Sequence, residues 1–178
     1  MDILALSGSL RTHSYNTALL RSAVRLKPAE VDISLFNSLA GIPLFNPDIE
    51  ETAIPETVTQ LRKSIDHADA IIISTPEYAH GVPGTLKNAL DWFVSFNEII
   101  LKPIAVMSVS TSGLGGYRAH TELVKVLHAM HTNIIIEASL NVPFAKMKFD
   151  TQGELVDPNT LTALKISLSR IVSFVQQQ

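Results

Sequence analysis

The segment Asp69-Ala-Ile-Ile-Ile-Ser-Thr-Pro76 places apolar side chains on successive residues. A strand turns successive side chains to opposite faces, so an uninterrupted apolar run needs cover on both. That requirement favours a parallel sheet with helices on each side. The rest of the chain keeps the same alternation. Ile3–Leu6 is a short apolar run, and Asn16–Leu26 then sets Leu19, Leu20, Ala23 and Val24 on one helical face. Val31–Phe36 alternates with period two, as a strand nearer the sheet edge does. Pro55–Ala68 reads as a helix with Val58, Leu61 and Ile65 inward, Asp69–Thr75 as the third strand and Pro83–Ser95 as the third helix. Pro103–Val109, Gly116–His131, Asn133–Glu137 and Pro158–Val175 follow as strand, helix, strand and helix. Five strands alternating with five helices predict a doubly wound, largely parallel α/β sheet.

Composition narrows what such a sheet can serve. With 178 residues, 46% hydrophobic and 17% charged, the chain predicts one globular domain spanning 1–178. A formal charge of −3 leaves no footprint for nucleic acid or an anionic membrane. Zero cysteines exclude a disulfide framework, an iron–sulfur cluster and a thiol nucleophile. The opening Met1-Asp-Ile-Leu-Ala-Leu6 lacks the basic segment of a signal peptide, so a cytoplasmic location is expected.

Ligands of open α/β sheets bind beyond the carboxyl ends of the strands. The first such loop is Gly8-Ser-Leu-Arg-Thr-His-Ser-Tyr-Asn16, opening directly into a helix. Orphan amides and the positive end of the helix dipole make that position attractive to an anion. Ser9, Thr12, Ser14 and Asn16 add hydroxyl and amide groups, Arg11 adds a cationic fork, and nothing in the loop is acidic. Helix capping by Ser14 or Asn16 is the plainer explanation, but capping alone needs neither Arg11 nor so many polar side chains. No G-x-x-x-x-G-K-[ST] occurs, and the first turn lacks G-x-G-x-x-G. The loop after the third strand holds Glu77, Tyr78, His80 and Gly81, which suit a flat, polar-edged ring: Tyr78 offers a face and Gly81 lets amides approach. Ser110-Thr-Ser-Gly-Leu-Gly-Gly116 follows the fourth strand and converges on the same edge.

Three blocks carry a family resemblance. They are Gly8-Ser9-Leu10-Arg11 with Ser14 and Asn16; Pro76-Glu77-Tyr78 with Pro83-Gly84 and Leu86 through Trp92; and Ser112-Gly113 with Gly115, Gly116, Arg118 and Ala119. In this order they resemble the NAD(P)H-dependent FMN reductase family, which includes chromate, quinone and azo-dye reductases. Ile42–Asp48 is similar to that family's loop after the second strand. The resemblance implies a flavodoxin-like fold with strand order 2-1-3-4-5 and FMN at the point where the order reverses. It also implies Ser9, Arg11, Ser14, Tyr15 and Asn16 around the FMN phosphate. Pro76, Glu77, Tyr78, Ala79, His80 and Gly81 would border the isoalloxazine, with Ser112 and Gly113 closing the third side. Many relatives have Asn after Pro-Glu-Tyr and Ser two residues later; here the stretch is Ala79-His80-Gly81. Donors to the ring edge are therefore expected to be backbone amides.

The chain has no G-x-S-x-G and no recognisable acid–base pair. A flavin reductase needs neither, because the cofactor carries the chemistry. The resemblance implies NADPH or NADH as donor, a small-molecule acceptor, ping-pong kinetics and a homodimer or homotetramer. The competing function is an FMN-binding electron carrier without reductase activity, but carriers usually present strongly acidic surfaces. Trp92, Phe93 and Phe96 lie within five residues, more than one amphipathic face usually buries, so Trp92 and Phe96 are expected at a subunit interface. Lys87 and Asp91 form an ordinary exposed helical pair. His128 and His131 are read as surface or interface residues, not as a metal site.

Overall fold

The computed structural model describes residues 1–37 and 39–178. Strands β1 (Asp2–Ser7), β2 (Asp32–Phe36), β3 (Ala70–Thr75), β4 (Pro103–Val109) and β5 (Asn133–Ile134) form a parallel sheet in the order β2-β1-β3-β4-β5. The expected doubly wound order is present. Side-chain parity explains its two covered faces. Ile3, Ala5, Ile33, Ala70, Ile72, Ala105 and Met107 point to one side, under α1 (Tyr15–Leu26) and α6 (Pro158–Val175). Leu4, Leu6, Ile71, Ile73, Ile104 and Val106 point to the other, under α3 (Glu56–His67), α4 (Gly84–Asp91) and α5 (Tyr117–Ala129). Every residue of β3 and β4 is buried, as a central strand covered twice must be. No helix among the described residues is long and apolar enough to cross a membrane.

The structure departs from expectation at three places. The last strand, expected as Asn133–Glu137, stops at Ile134. Ile135 and Ala138 are both buried toward α1 and α6, a spacing of three that a tight helical turn over Ile136–Ala138 satisfies and a two-residue period does not. The chain then returns as a sixth strand, β6 (Leu140–Val142), which pairs with the far end of the same β4. A short helix, α2 (Pro47–Thr52), lies in the long second connection, with Asn46 Oδ1 accepting the Asp48 amide at 2.9 Å.

The third departure concerns the aromatics. Trp92, Phe93 and Phe96 are all buried within this one chain, so Trp92 and Phe96 are not the free interface anchors expected of them. Trp92 Nε1 donates to the Pro43 carbonyl at 2.9 Å, and Phe45 meets the indole edge-on at 5.1 Å. One turn earlier, Asn88 donates to the same carbonyl and accepts the Phe45 amide, each at 2.9 Å. The connection after β2 folds back and uses the surface that a partner was expected to cover.

Candidate active site

Three strand ends meet where the order reverses between β1 and β3, and Asn16 fixes them. Its Oδ1 accepts from Ser74 Oγ at 2.8 Å and from the Val109 amide at 3.0 Å, while its Nδ2 donates to the Val109 carbonyl at 3.0 Å. Asn16 is buried, and these bonds are a brace between α1, β3 and β4. Ser7 Oγ and Thr17 Oγ1 lie 2.7 Å apart and seat the first turn of α1 on the end of β1. Gly8 allows the loop to lie against α4: a Cβ there would sit 2.9 Å from Leu86 Cδ2.

The loop leaves its polar groups around a cleft of about 130 Å³. Ser14 caps α1, accepting the Thr17 amide at 3.4 Å, and the first turn of α1 carries no acidic residue. Ser9 is buried, its Oγ 3.5 Å from Tyr78 Oη and 3.4 Å from the Arg11 amide. Tyr15 leans on Phe149 at 5.2 Å, which ties the loop to the segment before α6. Arg11 is exposed and has no ion-pair partner among the described residues.

Glu77 is the one carboxylate lining the cleft, and its oxygens are engaged elsewhere. Oε2 accepts the Arg118 and Ala119 amides at 3.0 and 3.4 Å, capping an α5 whose own N-cap, Gly116, has no side chain to do so. Oε1 lies 3.2 Å from His80 Nδ1. Partial burial alone would raise this carboxyl, but the His80 contact and the two amides outweigh it and hold it below its ordinary value.

Beyond Tyr78 the chain makes a two-residue hairpin. The Tyr78 amide donates to the Gly81 carbonyl at 3.2 Å and the Gly81 amide returns the bond at 3.0 Å. Ala79 and His80 between them have φ of 49° and 65°, the left-handed conformation at both central positions. Their amides make no hydrogen bond among the described residues, so they stay available as donors. The Val82 amide donates to Glu122 Oε2 at 3.0 Å, giving α5 a second hold on the loop. Tyr78 is half-exposed beside an open shelf of about 350 Å³ that also includes Leu10, Arg11 and Pro83.

Ser9, Arg11, Ser14, Tyr15, Asn16, Pro76, Glu77 and Tyr78 thus come together around one cleft. Ala79, His80 and Gly81 form the turn beside it. Ser112 and Gly113 do not line it; Val109, Ser110 and Thr111 form that wall. Gly113 packs instead against the Phe144 ring, where a Cβ would stand 3.1 Å from Cζ. Ser110 and Thr111 belong to the Ser110–Gly116 segment expected at this edge, and they precede the Ser112 and Gly113 expected to close the third side. A hydroxyl-lined cleft at a helix start, with one free guanidinium and its only carboxylate turned away, fits a phosphate bearing a planar group.

Fold and cleft together define a flavodoxin-like protein. The sequence profile of the NADPH-dependent FMN reductases matches residues 1–146, and the chain belongs to that family. It is an oxidoreductase with FMN and a nicotinamide nucleotide as its cofactors. The quinone reductase of Escherichia coli strain K12 is 33% identical over 181 residues, covering 99% of this chain and 96% of that one. An NAD(P)H-dependent FMN reductase of Pseudomonas aeruginosa is also 33% identical, over 179 residues, with the same coverage. Among solved structures, the flavoenzyme NAD(P)H:(acceptor) oxidoreductase FerB of Paracoccus denitrificans superposes with a TM-score of 0.89 at 27% identity, covering 99% of this chain and 97% of that one.

Proposed function

We propose that the chain, as one domain spanning residues 1–178, passes electrons from NADPH or NADH to quinones, and to azo compounds, flavins and metal oxyanions, through FMN held in the cleft. The observation that carries this reading is the cleft itself: Arg11 unpaired, Ser9 and Ser14 beside it, and Glu77 occupied by α5. Bound FMN supplies reversible two-electron acceptance. Ser9, Ser14 and Arg11 hold its phosphate, with the Tyr15 and Asn16 segment supplying the start of α1. Tyr78 gives the ring a face, and the Ala79 and His80 amides favour negative charge at its edge. No residue of the cleft is needed as an acid or a base. Nicotinamide and acceptor use the same open face in turn, which is a ping-pong order.

The same reading places the protein in the cytoplasm as a homodimer or homotetramer. An interface would draw on Val94 and Ile100, apolar residues exposed at a hollow of about 450 Å³ remote from the cleft. Light scattering at micromolar concentration tests the assembly, and a monomer would remove it. Steady-state oxidation of NADPH by the FMN-loaded protein with excess menadione tests the activity. Sustained turnover with parallel double-reciprocal lines is expected; a single stoichiometric reduction would make the chain an electron carrier.

A further inference from the structure

On the other side of the anion loop from the cleft lies a second hollow, of about 240 Å³, between α1 and the end of β2. Two arginines border it from different segments, Arg11 of the loop and Arg21 of the second turn of α1. Thr17 stands four residues before Arg21, on the same helical face, and pairs with Ser7 beneath. Thr12 adds another hydroxyl, and no carboxylate among the described residues lines the hollow. Neither guanidinium has an ion-pair partner among the described residues. Arg21 also borders the turn Asp150–Glu154, where Glu154 is paired with Arg25 and Asp150 accepts the Gln152 and Glu154 amides.

With Arg11 given to the FMN phosphate, Arg21 is the guanidinium left to the hollow, and beside the Thr12 and Thr17 hydroxyls it selects a second phosphoryl group. The hollow adjoins the shelf beside Tyr78, with Leu10 and Arg11 lining both. A ligand lying over Tyr78 reaches the hollow by crossing Leu10. We propose that this hollow receives the 2′-phosphate of NADPH, with Arg21 as the residue that selects NADPH over NADH. An arginine beside the ribose is a recurrent solution to that selection. The proposal rests on the reductase reading above and adds to it a site for the far end of the nucleotide.

The test uses the FMN-loaded protein and the variants Arg21→Ala and Arg21→Lys. Calorimetric titration with 2′,5′-ADP and 5′-AMP reads the hollow without turnover. The wild type is expected to bind 2′,5′-ADP the more tightly, and Arg21→Ala to remove the difference. The ratio of kcat/KM for NADPH over NADH should fall roughly tenfold or more in Arg21→Ala, the loss of one charge-assisted contact, and recover in part in Arg21→Lys. FMN affinity should stay unchanged. Equal binding of the two nucleotides by the wild type, or an unaltered ratio in Arg21→Ala, overturns the proposal. A parallel fall in FMN affinity also overturns it, because the hollow would then hold the flavin's own phosphate. Oxidation of neither nucleotide removes the reductase reading, and the 2′,5′-ADP titration still decides the hollow.

Discussion

Glu77 and Arg118 are joined twice: Oε2 accepts the Arg118 amide at 3.0 Å, and Oε1 lies 3.6 Å from the Arg118 guanidinium. The residue after Pro76 therefore caps a helix that begins forty positions later, and it draws the Tyr78 hairpin against α5. A carboxylate in a ligand-binding loop would repel a phosphate or a reduced ring. Here it is neutralised by amides, by the helix dipole and by Arg118.

Glu77→Ala is expected to destabilise the protein by about 1–2 kcal/mol, the usual cost of a lost cap, and to weaken FMN binding by loosening the hairpin. Urea unfolding and FMN fluorescence titration read the two effects. The pH sign follows from the lowered carboxyl. Its contribution is complete above the ordinary value of 4.5 and is lost as pH falls below it. Glu77→Gln should flatten that acid-side loss, and unchanged acid sensitivity would show that the contact contributes nothing.

Ala79 occupies a position that asparagine or glycine fills more easily. Ala79→Asn should raise the stability of the FMN-free protein by about 0.5–1 kcal/mol, since alanine at positive φ is strained. Urea unfolding measures it, and a loss of stability would mean that the hairpin does not hold this conformation in solution.

Trp92→Ala should cost about 3–5 kcal/mol, as deletion of a buried indole does, and leave the oligomeric state unchanged. Trp92→Phe keeps most of the packing but gives up the bond to Pro43, worth about 1 kcal/mol. Thermal unfolding and light scattering separate the outcomes. A small loss of stability with a fall in mass would return Trp92 to an interface.

The sheet was legible because its central strands are buried twice. Ile71–Ile73 and Ile104–Met107 leave no other arrangement for so many successive apolar residues. The edge was not. Ile134-Ile135-Ile136 reads as one strand, although Ile136 is exposed and Ile135 shares its burial with Ala138 three residues on. Helix α2 had its signals in Asn46, Pro47 and Asp48, and they were lost inside a connection read only as a loop. The anion loop was readable because its chemistry lies in consecutive residues. The occupations of Asn16, Glu77 and Trp92 were not, because their partners Val109, Arg118 and Pro43 are distant in the chain and known only from the fold.

The central claim is that the loop Gly8–Asn16 holds a phosphate. Titrating the FMN-free protein and its Arg11→Ala variant with FMN and with riboflavin, which differ only in that phosphate, tests it most directly. The account predicts that the wild type binds FMN at least about tenfold more tightly than riboflavin, roughly 1.4 kcal/mol or more. Arg11→Ala should lose most of that difference while binding riboflavin as before. Equal affinity of the wild type for the two flavins would contradict the account.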